Sequence, residues 1–165
     1  MGSRSYSFLD TAALPSVGPR LAAGDALVIL DTALSTVLWA NGAGARLFGA
    51  TDPLGFIGSD PALRGPVRRQ IEATSGFPRI GSDRNLLLRL AGGLFSRTTA
   101  FSASEVRMPD GETGILLAAK PSQPGPMAAL EGLSGDGQFA ALVDGDGNIA
   151  AAADGFSALG IAAAT

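Results

Sequence analysis

The sequence predicts an α+β domain built from one antiparallel sheet and short helices. Three observations carry this prediction. Two short apolar runs at the front, 26–30 and 36–40, have the length of buried strands. A middle region rich in Pro and Gly, 50–76, favours short helices. From residue 84 onward, the pattern changes to that of strands.

Local signals set the bounds of these elements. Asn41 suits the N-cap of a helix over 42–48, and Gly49 suits its C-terminal end. Prolines preceded by polar or small residues predict three further helices, near 52–56, 60–64 and 66–75. The later strands are predicted at 86–90, 94–108 and 113–119, with a tight turn at the Pro-Asp-Gly-Glu sequence of 109–112.

The segment before the first strand, 6–23, predicts one or two short helices interrupted at Pro15 and Pro19. It has too little apolar surface to fold alone, so we expect it to pack on the following domain or on a second copy of the chain. Three prolines at 121–126 indicate a linker.

The tail repeats the beginning of the domain. The sequence at 140–144 matches 28–31, and each is followed ten residues after its Asp by Asp-Gly or Asn-Gly. We therefore divide the chain into an N-terminal helical extension (1–24), a main domain (25–120), a linker (121–137) and the truncated start of a second, similar unit (138–165).

Composition excludes several kinds of chemistry. With no Cys and no His, the chain has no disulfide, no thiolate nucleophile, no imidazole general base and no phospho-accepting His. A net charge of −3 and the absence of a basic stripe argue against nucleic acid as a partner. Because no apolar run reaches 18 residues, we expect no membrane span in this piece and a cytoplasmic location.

Three motifs favour ordinary structural roles. Gly42 and Gly44 lack the third glycine of a dinucleotide loop, because Leu47 occupies its position. The Asp-Gly-Asp-Gly-Asn sequence at 144–148 lacks the glycine and glutamate of a calcium loop, and indicates a hairpin turn. Lys120 has no serine at a spacing that would make it a general base. We therefore expect no catalytic residue and no metal site.

Several runs resemble the PAS family: ALVILD at 26–31, VLWAN at 37–41, NGAGARLFG at 41–49, and the three later strands with their Pro-Asp-Gly turn. The Ala- and Gly-rich style, with a second similar start behind it, resembles the sensor regions of alphaproteobacterial cell-cycle histidine kinases of the PleC, DivJ and PdhS kind. The resemblance implies a five-stranded antiparallel sheet with short helices on one face. Without Cys or His, the chain departs from the flavin-adduct and haem-binding PAS types, so we expect no cofactor.

The resemblance also implies a function. We expect a non-catalytic sensory and regulatory domain of a two-component histidine kinase whose catalytic part lies outside this piece. It would act as a homodimer and through other signalling proteins, such as a response regulator or the kinase output domain. The candidates for the dimer interface lie in the extension: Phe8, Leu9, Val17 and Leu21.

A second interpretation is a domain that senses an unknown small ligand in a pocket between the sheet and the helices. The candidate pocket residues are large apolar side chains: Trp39, Phe56, Ile71 and Phe101. For Trp39, Phe56 and Phe101, filling the core is the favoured role and lining a pocket is the second.

Overall fold

The structure, a computed structural model, describes residues 6–81, 83–92, 95–121, 130, 133 and 139–152. Most of the predicted linker and residues 153–165 of the predicted second unit lie outside the described residues. In chain order the elements are α1 (Phe8–Ala12), α2 (Gly18–Ala22), β1 (Ala26–Asp31), β2 (Val37–Ala40), α3 (Gly42–Leu47), α4 (Pro53–Phe56), α5 (Gly65–Glu72), β3 (Arg84–Gly92), β4 (Phe95–Arg107), β5 (Thr113–Ala119), β6 (Ala141–Val143) and β7 (Ile149–Ala152).

The first five strands form one sheet in the order β2-β1-β5-β4-β3, and each neighbouring pair is antiparallel. The two central strands, β1 and β5, come from opposite ends of the domain and pair from Ala26 opposite Ala119 to Asp31 opposite Gly114. The predicted fold class, a five-stranded antiparallel sheet with short helices, is confirmed.

The inner face of the sheet packs against α3, α4 and α5. Alternate residues of β1 and β5 point to this side, among them Val28, Leu30 and Leu117. The helices contribute Ala45, Phe56, Val67 and Ile71, all of which are buried. The main core therefore lies between the sheet and these three helices.

The outer face of β1, β2 and β5 is covered by the N-terminal extension. Phe8 packs on Trp39 with 5.0 Å between ring centroids, and the Trp39 indole N–H donates to the Phe8 carbonyl at 3.2 Å. Val17 is fully buried in the same outer cluster. Strands β1, β2 and β5 carry apolar side chains on both faces, and Trp39 is one of those on the outer face. The extension therefore shields from water an apolar surface that would otherwise be exposed.

One predicted helix, 60–64, is wrong. The chain at 61–64 has no helical structure. The Asp60 carboxylate accepts from the N–H of Ala62 at 2.7 Å, and Ala62 has φ +51°. A residue in the left-handed region cannot continue a right-handed helix, so the Asp60-Pro61 signal starts a turn here. The helix predicted at 66–75 is α5, which ends at Glu72.

The buried side chain of Asn41 joins β1 to the helix layer. Its Oδ1 accepts from the N–H of Gly44 at 2.8 Å, as an N-cap does, and from the N–H of Leu27 at 3.0 Å. Its Nδ2 donates to the carbonyl of Asp25 at 2.8 Å. Gly44 is needed beside it, because a Cβ there would collide with the carbonyl oxygen of Leu27. Asn41 therefore fixes the position of α3 against the sheet.

We expect Asn41→Ala to lower the free energy of unfolding by about 3 kcal/mol, because it leaves buried backbone groups of β1 and α3 without partners. Urea denaturation followed by circular dichroism measures this loss. The matched control is Asp52→Ala, which removes the exposed N-cap of α4 and should cost about 1 kcal/mol. Equal losses for the two variants would contradict the role assigned to Asn41.

We expect Phe8→Ala to shift the fluorescence of Trp39, the only tryptophan, to longer wavelength, because the indole loses its cover and meets water. The same variant should lose about 2 kcal/mol of stability. Leu9→Ala is the control, since Leu9 lies next along α1 but is 76% exposed. An unchanged emission spectrum in Phe8→Ala would show that the extension does not cover Trp39 in solution.

Candidate functional site

The four predicted interface residues of the extension fall into two groups. Val17 is buried, and Phe8 and Leu21 are half-buried against the outer face of the chain's own sheet. Leu9 alone of the four is exposed. The extension therefore packs on its own domain through three of these residues and presents Leu9 outward.

The four predicted pocket residues do not come together. Phe56, Ile71 and Phe101 lie in the inner core, where Phe48 packs against Phe56 and Phe101 with ring centroids 5.8 and 6.3 Å apart. Trp39 lies on the opposite face of the sheet, in the outer cluster under the extension. Of the four, only Phe101 lines the cleft beside the end of β5.

That cleft has a volume of about 1200 Å³ and lies where β3 and β4 extend past the end of β5. Its apolar lining includes Leu47, Leu86 and Phe101. Its charged lining consists of Arg20 from α2, Arg46 from α3, Lys120 after β5, and Asp25 before β1. The described lining therefore contains three basic side chains and one acidic side chain.

The cleft also touches both ends of the main domain. We call residues 24–26 and 118–121 the junction segments, because the chain enters the sheet through the first and leaves it through the second. Lys120 and Asp25 connect them, with Nζ 3.5 Å from Oδ2. The Asp25 side chain is 1% exposed, whereas that of Lys120 is 80% exposed. The second carboxyl oxygen of Asp25 is buried and has no hydrogen-bond partner among the residues that the structure describes.

Arg20 links the extension to the far half of the sheet. Its guanidinium donates to the hydroxyl of Ser102 on β4 at 3.1 Å and pairs with Asp83 just before β3. One wall of the cleft is therefore held by a charge-assisted contact between segments that are distant in sequence.

The sequence did not indicate the charged residues of the cleft as a group. Arg20, Arg46 and Lys120 lie far apart in the chain, and no spacing rule connects them. The sequence pattern singles out Lys120 only as a possible general base, which no suitably spaced serine accompanies. The pairing of Ala26 with Ala119, which brings Asp25 to Lys120, is a non-local contact that periodicity does not reveal.

The hairpin β6–β7 resembles the hairpin β1–β2, with a turn that is one residue shorter. In each hairpin, an Asp that follows or ends the first strand closes the turn. The Oδ1 of Asp31 accepts from the backbone N–H of Thr36 at 3.1 Å, and the Oδ1 of Asp144 accepts from the backbone N–H of Asn148 at 2.8 Å. The backbone N–H of each Asp donates to the carbonyl of the same partner. The backbone N–H of Asn148 is the main cause of a lowered pKa at Asp144, and the Asn148 side chain adds to it.

The two hairpins share two further features. Each ladder has a register shift near its turn, between Ile29 and Leu30 and between Leu142 and Val143. Each turn has one residue with positive φ, namely Leu34 at 56° and Gly147 at 88°. These features support the repeat found in the sequence, and the assignment of 138–165 to a second unit stays a prediction.

Within the described residues, no group of three or more acidic side chains is placed to hold a metal ion. In the same part of the chain, no helix has the length and apolar character needed to cross a bilayer.

No protein-family model matches the chain. Among curated proteins, the cell-division control histidine kinase PdhS of Brucella anthropi is 42% identical over 163 residues, which is 99% of this chain and 15% of that kinase. The PdhS kinases of Brucella ovis and Brucella abortus are 40% identical over 163 residues, again 99% of this chain and 16% of theirs.

The resemblance to kinases of the PdhS kind is therefore confirmed. The chain spans about 15% of the length of the curated relatives it matches. Along almost its whole length, it is similar to one segment of cell-division control histidine kinases.

Proposed function

We propose that this chain is a non-catalytic sensory and regulatory PAS domain of a bacterial two-component histidine kinase. The observation that carries the proposal is its 42% identity, over 99% of its residues, to a small part of a cell-division control histidine kinase. The five-stranded sheet with short helices fits the same interpretation. The catalytic part of such a kinase, and the His it phosphorylates, would lie elsewhere. The location we propose is cytoplasmic.

Regulation of this kind requires that a structural change in the domain be transmitted to the segments of the chain before and after it. The two junction segments meet at the paired residues Ala26 and Ala119, on the two central strands. A change in packing there would alter both the attachment of the extension and the direction in which the chain leaves the sheet. The domain would act by shifting the population of two such packings.

We further propose that the domain self-associates through the outward side of its extension and contacts other signalling proteins, such as a response regulator or the kinase output domain. Leu9 is the candidate contact of the extension, because its side chain is 76% exposed while the other three candidates pack on the chain's own sheet. Phe8, Val17 and Leu21 would contribute indirectly, by holding α1 and α2 on the sheet.

We expect Leu9→Asp to weaken dimerisation at least about tenfold, because the interface would have to bury a charge in place of an apolar side chain. Light scattering over a concentration series measures the mass of each variant. Leu54→Asp is the matched control: Leu54 is 55% exposed on α4 and lies on the other side of the sheet from α1. It should leave the dimer intact.

A point substitution is preferable to removing the extension, since deletion would uncover Trp39 and the outer cluster and destabilise the monomer. A parent protein that stays monomeric at every concentration would overturn self-association. Equal weakening by both variants would place the interface elsewhere than α1.

The second candidate function is the sensing of a small ligand. The cleft of about 1200 Å³ supports it, because its size accommodates a metabolite and it borders both junction segments. The site would then be this cleft and not the inner core, where Phe56 and Ile71 are packed among other side chains.

A further inference from the structure

We propose that the ion pair between Asp25 and Lys120 is a two-state switch at the junction segments. In the closed state, which the structure describes, Lys120 contacts the Asp25 carboxylate. In the open state, this contact is broken and the segment that leaves β5 is released from the start of β1. The switch itself depends on this chain alone, whereas its use in signalling rests on the function proposed above.

The closed state buries a carboxylate that is only partly satisfied. The side chain of Asp25 is 1% exposed, and its Oδ2 lies 3.5 Å from the Nζ of Lys120. Its Oδ1 has no hydrogen-bond partner within the described part of the chain. Such an oxygen has lost its hydrogen bonds with water and gained none in return. Exposing the carboxylate would restore its hydration, and this gain offsets part of the cost of opening.

The ammonium of Lys120 compensates little for the burial of Asp25. The Lys120 side chain is 80% exposed, so water screens its attraction to the carboxylate. Lys120 also lines the cleft of about 1200 Å³, which leaves its side chain room to move away. Breaking the contact therefore costs little for the lysine and restores hydration for the aspartate.

The two junction segments are anchored unequally, and this determines which of them moves. The backbone of Asp25 is held twice: its N–H donates to the carbonyl of Arg20 at 3.0 Å, and its carbonyl accepts from the Nδ2 of Asn41 at 2.8 Å. Past Ala119, the last residue of β5, the side chain of Lys120 connects the leaving segment to the entering one. Opening therefore loosens the leaving segment, beginning at Ala119, and keeps the entering segment in place.

This switch would give the proposed shift between two packings a physical basis. In the closed state the leaving segment is tied to the start of β1, and in the open state it can take another direction. The closed state has an unsatisfied buried oxygen, and the open state has lost an ion pair, so neither is strongly favoured. A partner that binds one state only slightly better than the other would therefore change their populations.

The test is hydrogen exchange of the isotopically labelled full chain, followed for single amides by NMR at low urea concentrations. A local opening exposes little surface, so exchange through it barely depends on urea, whereas exchange through global unfolding accelerates with urea. We expect Ala119, at the end of β5, to exchange through a local opening, and Leu117, inside the same strand, through global unfolding. The urea dependence of global unfolding at Ala119 would overturn the proposal.

Variants identify the contact that controls this opening. Lys120→Met leaves the buried carboxylate without its countercharge and should accelerate exchange at Ala119 at least about tenfold. Adding Asp25→Asn removes the buried charge, so this double variant should exchange no faster than the parent. The matched control, Glu72→Gln, removes a carboxylate that pairs with Arg68 on α5 outside the cleft, and should leave exchange at Ala119 unchanged.

Three results would contradict the switch. One is an unchanged rate at Ala119 in Lys120→Met. Another is a double variant that exchanges as fast as Lys120→Met, because the buried charge would then not drive the opening. The third is equal acceleration by Glu72→Gln, since the effect would then not be specific to the junction.

The switch and self-association can fail separately, because exchange at Ala119 can also be measured in the Leu9→Asp variant, whose dimerisation is weakened. A protein that dimerises through α1 but shows no local opening at Ala119 keeps the interaction function and loses the switch. A protein that opens locally but stays monomeric keeps the switch and loses self-association.

Discussion

The arrangement of the domain depends on the hydrogen bonds of one buried amide. The Oδ1 of Asn41 accepts from the backbone N–H groups of Leu27 in β1 and Gly44 in α3, and its Nδ2 donates to the carbonyl of Asp25. Since Gly44 lets α3 approach within contact of Leu27, the helix lies close to the strand. The same bond to Asp25 fixes the segment through which the chain enters the sheet, so Asn41 positions one side of the cleft as well.

The second constraint is that the central strands are apolar on both faces. Val28 and Leu30 pack under the helices, while Leu27 and Ile29 point to the other side, and all four are at most 1% exposed. An antiparallel sheet can leave one face to water, but β1, β2 and β5 are apolar on both faces, so this part of the sheet needs a cover on each side. The extension is consequently part of the fold, and most of its apolar residues are used within the chain. What remains for a partner is its outward side.

The features that could be predicted from the sequence are those that depend on contacts between residues close together in the chain. The strands, the N-cap at Asn41 and the turn at 109–112 are set by neighbouring residues, and the structure has them. The face on which Trp39 lies could not be predicted, because every residue of β2 is buried and no alternation marks its two sides. The cleft could not be predicted because it depends on a non-local contact. The pairing of β1 with β5 brings Asp25 close to Lys120, although the two residues lie at opposite ends of the domain.

Comparison of the two hairpins shows which features depend on the turn sequence alone and which depend on the rest of the domain. Asp31 and Asp144 each accept a backbone hydrogen bond that closes the turn, and both ladders shift register beside them. Yet Ile29 is fully buried, whereas Leu142, at the corresponding position, is 44% exposed. The Asp, the bulge and the left-handed residue are local and suffice to form the hairpin. Burial requires more: a strand equivalent to β5 on one edge and covers on both faces. A hairpin of this sequence therefore becomes a core only when distant strands and helices pack on it.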